Sequence, residues 1–97
     1  MTTNTKEIQN MKTKQYTVGG MNIVVVDSGF VYVGNVTIQG NYVIVGNALN
    51  IRKWGTSLGL GELRNGPTKD TITDDCGSVI VPMNKVNHFI PCKGWNL

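Results

Sequence analysis

The chain has only two cysteines, Cys76 and Cys92, one histidine, His88, and three prolines in 97 residues. Two thiols are too few for a disulfide scaffold, and no His/Cys/Asp set has metal-ligand spacing. Charge is scarce as well: 15 % of residues are charged, well below the usual quarter. No apolar segment has the length of a signal peptide or a membrane span. The reading is therefore a reduced cytosol, no membrane, no metal and no cofactor. Three of the nine cations, Lys6, Lys12 and Lys14, lie in the polar amino-terminal stretch. The net charge of +3 thus leaves no dense cationic stripe, which argues against general DNA binding. One local positive pocket remains compatible with it.

What is present points to strands. Twelve glycines and a Val/Ile/Thr bias suit short strands and tight turns rather than helices. Residues 1–14 have no apolar period and are expected to be a disordered tail. Residues 15–92 form one domain, and 93–97 read as a carboxy-terminal tail with one tryptophan. A single domain of this size buries roughly 60–65 % of its unfolded surface, so its core is modest. Small core and low surface charge together suggest cover by identical subunits.

Gly-Asn recurs at 34–35, 40–41 and 46–47. Glycine then asparagine suits a type II′ hairpin turn. The pattern predicts a meander of four-residue strands, with one glycine position open to merging two strands at a bulge. A hexapeptide β-helix fails, because three repeats are too few. Val31, Val33, Val43 and Val45 alternate with Phe30, Tyr32, Tyr42 and Ile44, so both strand faces are apolar. One face must fill the core, and the other needs a second layer or another subunit. A short helix is predicted over about 58–64, capped by Thr56 or Ser57, with Gly66 after its end. A polar loop over 67–75 follows, holding Asp70, Asp74, Asp75 and a short strand at 71–73. Strands at 78–81 and 86–90 complete an all-β, mainly antiparallel meander, sandwich or barrel-like domain.

Chemistry concentrates after the third Gly-Asn, in Arg52-Lys53-Trp54 followed by Thr56, Ser57, Gly59 and Gly61. Cations beside an aromatic face, hydroxyls and accessible backbone N–H groups are what a phosphate-bearing planar ligand needs. Strand alternation sends Arg52 and Trp54 to one face and Lys53 to the other. A core tryptophan edged by the arginine stem is the plainer reading of the same pair. No Walker or dinucleotide fingerprint is present. The Asp70, Asp74 and Asp75 carboxylates lack a His or Glu partner and read as turn and capping residues. His88 reads as a surface or strand-end residue, and no catalytic residue is assigned.

The string Asn50-Ile51-Arg52-Lys53-Trp54-Gly55-Thr56 continues through Gly59-Leu60-Gly61-Glu62-Leu63, Gly66-Pro67-Thr68 and Asp75-Cys76-Gly77. It resembles a family of small uncharacterised proteins carried by tailed bacteriophages and prophages. The likeness spans about residues 15–92 and is densest in the middle third. It implies a phage protein acting in the host bacterial cytosol. In that setting the cluster suggests an anti-defence sponge, a homo-oligomer that sequesters a nucleotide signal without turnover. The ligand would be a cyclic nucleotide or an ADP-ribose-type molecule. Arg52 and Lys53 would bind phosphates and Trp54 would pack on a base, with Thr56, Ser57, Gly59 and Gly61 in the cradle. The alternative is a virion component or a binder of a host protein.

Overall fold

The computed structural model describes residues 18–97, so the expected disordered tail over 1–14 lies outside the described residues. Five strands, β1 Gly20–Val26, β2 Val31–Gln39, β3 Tyr42–Lys53, β4 Ile72–Pro82 and β5 Val86–Pro91, form one sheet in the order β4-β3-β2-β1-β5. Every pairing is antiparallel, as an all-β meander requires.

The three Gly-Asn pairs do not all turn the chain. Gly40-Asn41 makes the β2–β3 turn, with Gly40 at φ 57 and Gln39 opposite Tyr42. The outer two lie inside strands, so two mergers occur where one was expected. Their spacing explains the outcome. A repeat of six centred on a hairpin turn brings its flanking copies opposite one another, and Asn35 indeed faces Gly46. The strands then slip by one residue, and Asn47 takes φ 49. Gly34 sits where the strands pinch: a Cβ there would meet Val45 Cγ1 at 2.6 Å and the Gly46 carbonyl at 2.7 Å.

That slip decides which side chains are inside. A one-residue offset moves every following side chain to the opposite face. Val43 and Val45 join Val24, Val36 and Val81 in one apolar cluster. Beyond the slip, Leu49 and Ile51 join Ile23, Val31 and Val33 in a second cluster on the other face. The apolar character of both strand faces is thus used by two cores. The second is covered by Leu63 and Trp95 of the same chain.

The sheet cannot be flat. Its edge strands would stand roughly 19 Å apart across four strand spacings. Yet β4 and β5 are joined by Met83–Lys85 alone, which reaches about 14 Å at most. The sheet therefore curls toward a half-open barrel. The link is fixed by Met83 N–H donating to Asn41 O (2.8 Å) and Asp27 N–H to Lys85 O (2.8 Å).

Three sequence readings need correction. The short helix is a 3₁₀ helix over Leu60–Asn65, not an α-helix over 58–64. Gly59, at φ 103, occupies its N-cap without a side-chain cap bond, so neither Thr56 nor Ser57 caps it. With three residues per turn, Leu60 and Leu63 eclipse on one side, and both meet the second core. The separate strands expected at 71–73 and 78–81 merge into one strand, β4, that begins at Ile72, so Asp74 and Asp75 lie in a strand rather than a loop.

The final residues carry no strand but are fastened. Lys93 N–H donates to Arg64 O (2.9 Å) and Trp95 Nε1–H to Leu63 O (2.9 Å). Trp95 is 6 % exposed. Gly66 and Gly94 cross closely: a Cβ on Gly66 would lie 2.8 Å from the Gly94 carbonyl oxygen. Both have positive φ, so glycine is required twice at this crossing.

Candidate functional site

Arg52, Lys53 and Trp54 lie at the end of β3. The expected alternation is interrupted there, because the β3–β4 register shifts between Ile51 and Lys53. A bulge of this kind re-aims side chains, and the argument that Arg52 and Trp54 share a face loses its basis. Arg52 instead faces an acid. Its Nε lies 2.9 Å from Asp74 Oδ2 and its Nη2 3.4 Å from Asp74 Oδ1. Both side chains are exposed, and Lys53 is exposed beside them.

Trp54 is 43 % exposed, and its backbone is held from behind. Thr71 Oγ1 donates to Trp54 O (2.6 Å) and Thr68 Oγ1 to Gly55 O (2.6 Å). Thr68 N–H donates in turn to Thr71 Oγ1 (2.8 Å). The Thr68 hydroxyl is thus a fastener. Gly55 has φ 68 and packs against the Asp70 backbone, so a side chain would force the loop open. These bonds hold the tryptophan at the rim, where it stays partly exposed.

The hydroxyl and glycine half of the predicted site forms a separate group. Ser57 N–H (3.3 Å), Ser57 Oγ (3.4 Å) and Leu58 N–H (3.0 Å) converge on Glu62 Oε1. The loop thus gathers donors around one oxyanion, and that oxyanion is its own carboxylate. Thr56 is half-buried. Gly59 begins the 3₁₀ helix and Gly61 lies within it. A cleft of about 300 Å³ beside them is lined by Leu58, Gly61, Glu62, Arg64 and Asn65. None of its walls comes from the end of β3.

The register reveals neighbours of Arg52 that sequence reasoning missed. Tyr32 of β2 faces Asn50 of β3, which faces Asp74 of β4. Phe30 stacks on Tyr32, with ring centroids 6.1 Å apart and planes 15° off parallel. An aromatic pair and an Arg–Asp pair thus lie along one cross-strand row. Burial raises the Tyr32 phenol pKa first, and nearby Cys76 raises it further, so Tyr32 is neutral at physiological pH. Only the observed register could reveal this row, since its members come from three strands.

The two cysteines are both free thiols. Cys92 abuts the second core, and burial pushes its thiol up to about 11, which makes it a poor nucleophile. Cys76 is exposed on β4. His88 lies exposed on β5 with Nδ1 2.7 Å from Asn87 Oδ1. Among the described residues, no three His, Cys, Asp or Glu side chains are grouped to hold a metal ion. No helix in the described residues is long and apolar enough to cross a membrane. No protein-family model matches the chain, and no curated protein matches it.

Proposed function

We propose that this chain is a small binding protein that holds an anionic, aromatic, nucleotide-type ligand without turning it over. The observation that carries the reading is the convergence of Ser57 N–H, Ser57 Oγ and Leu58 N–H on one carboxylate oxygen. A loop arranged around an oxyanion in its own chain has the donors a phosphate oxygen needs. Arg52, Lys53 and the exposed Trp54 ring supply charge and a stacking face on the preceding segment. Glu62 and Asp74 are the built-in competitors, so a ligand phosphate must displace a carboxylate from each group. The resemblance to small phage proteins gives the proposed setting: a homo-oligomeric anti-defence sponge in the host cytosol, sequestering a cyclic nucleotide or an ADP-ribose-type signal.

Native mass spectrometry of the full chain with a panel of cyclic and linear nucleotides tests this. The expected result is stoichiometric, unmodified nucleotide bound to a discrete oligomer. Arg52→Glu should weaken binding by about 10–100-fold, the worth of one charge-assisted contact. Glu62→Gln should strengthen it. No bound nucleotide across the panel overturns the reading.

One observation favours the alternative, a virion component or a binder of a host protein. Tyr42 and Ile80 are 53 % and 63 % exposed, and Ile80 pairs with Ile44 on the neighbouring strand. An apolar row at a sheet margin suits association with another protein. Presence of the chain in purified particles, with no nucleotide bound, distinguishes that role.

A further inference from the structure

We propose that β4 is a homodimerisation edge, along which two copies pair antiparallel through Gly77–Val81 about a two-fold axis at Val79. The inference deepens the proposed self-association by naming its surface, and does not depend on nucleotide binding.

Hydrogen-bond alternation shows which groups are free. Met83 N–H donates to Asn41 O, in register with the pairs Val43–Val81 and Val45–Val79. In an antiparallel ladder, bonded and non-bonded pairs alternate. Val79 and Val81 therefore bond to β3, while Ser78 and Ile80 aim their N–H and C=O groups at the open side. Among the described residues, no strand pairs there.

This edge is also unguarded. Sheet margins are normally blunted by charge, proline or a bulge. Gly77-Ser78-Val79-Ile80-Val81 contains no charge and no proline. The guards stand at its two ends: Asp74, Asp75 and the irregular register near Gly77 at one, and Pro82 at the other. They confine pairing to the segment between them.

The occupant that fits is a second copy. With the axis at Val79, Ser78 faces Ile80 of the second copy, and each such pair exchanges two backbone bonds. The two Asp75 residues then stand roughly 27 Å apart along the strands, so like charges do not meet. Antiparallel pairing instead sets the Asp74–Asp75 end of one copy's segment beside the end of the other that leads into Lys85, so ends of opposite charge adjoin. A two-fold axis perpendicular to the sheet keeps faces matched. The exposed Ile80 side chains of both copies therefore lie on one surface, continuous with Ile44 and Tyr42.

Light scattering on the full chain at roughly 100 µM, a protein concentration within reach of typical dimer affinities, should give twice the chain mass or an even multiple. Ile80→Pro removes an outward donor and no β3–β4 bond, and Ile80→Lys guards the edge. Each should halve the mass without changing circular dichroism. In the unaltered chain, the Ser78 and Ile80 amides should exchange more slowly as concentration rises. A chain that stays at one mass overturns both this inference and self-association. An oligomer in which both variants keep their mass, or in which these two amides exchange freely, overturns the β4 edge alone.

Discussion

The two tryptophans of this chain have exchanged the places that local sequence suggests for them. Trp54 sits among valine-rich strands and two cations, where a core position edged by an arginine stem is the plain expectation. It ends 43 % exposed. Trp95 sits two residues from the end in a stretch that reads as a tail, and it is 6 % exposed with its indole N–H bonded to Leu63 O. The difference comes from what lies opposite each residue. Trp54 follows a register shift that ends the strand, and two threonine hydroxyls bond its backbone segment from behind. Trp95 meets a sheet face that the β3 slip has made apolar. Burial here is decided by long-range pairing, and the immediate neighbours in sequence carry little of it.

Breaking each tryptophan should separate the two regions most strongly. Trp95→Ala should cost about 3–5 kcal/mol by opening a cavity under the second core, while Trp54→Ala should cost well under half of that. Urea denaturation followed by circular dichroism measures both. The reverse ordering would show that the carboxy-terminal segment covers nothing that matters.

Two glycines sharpen the comparison on the backbone. Gly34→Ala should cost about 1–3 kcal/mol, because its Cβ would press on Val45 and the Gly46 carbonyl where strands cannot separate. Gly61 has open space around it and no positive φ. Gly61→Ala should be neutral, or stabilise by roughly 0.4–1 kcal/mol. Melting temperatures of the pair give the contrast directly.

The cysteines divide the same way. Maleimide at neutral pH should label exposed Cys76 well before Cys92. The Cys92 pKa is raised from 9.0 to about 11 by burial, so the folded state holds a proton that the unfolded state releases first. Its contribution to stability is full below pH 9 and declines between pH 9 and pH 11. Cys92→Ser should flatten that decline. The smallest destabilisation belongs to Asp74→Asn: an exposed ion pair is worth about 0.2–1 kcal/mol, so melting should barely move. Under the proposed function, the same variant frees Arg52 and strengthens nucleotide binding, read by isothermal titration.

The all-β class, the turn at Gly40 and the strand from Val86 were legible, because composition and turn chemistry act locally. The in-strand roles of Gly34 and Gly46 were not. The same dipeptide turns or bulges according to what pairs with it, and only one copy can be the centre of a hairpin. The 3₁₀ helix was legible in place. Its type was hidden, since Gly59 and the Glu62 carboxylate organise its start in place of a hydroxyl cap. Of the candidate site, the exposure of Arg52, Lys53 and Trp54 fits a surface role. The carboxylate that faces Arg52 comes from another strand, Asp74 of β4, and no spacing rule announces it; the one at the Ser57 loop, Glu62, is local.

The mirrored placement of Gly34-Asn35 and Gly46-Asn47 about the Gly40 turn also constrains how this hairpin can change length over descent. A single residue gained or lost between the pinch and the turn would shift one copy past the other and turn Val43 and Val45 outward. Only balanced insertions of two residues in each arm preserve both the match and the buried faces. Length variation in related chains should therefore be balanced between the two arms over residues 35 to 46, two residues at a time in each.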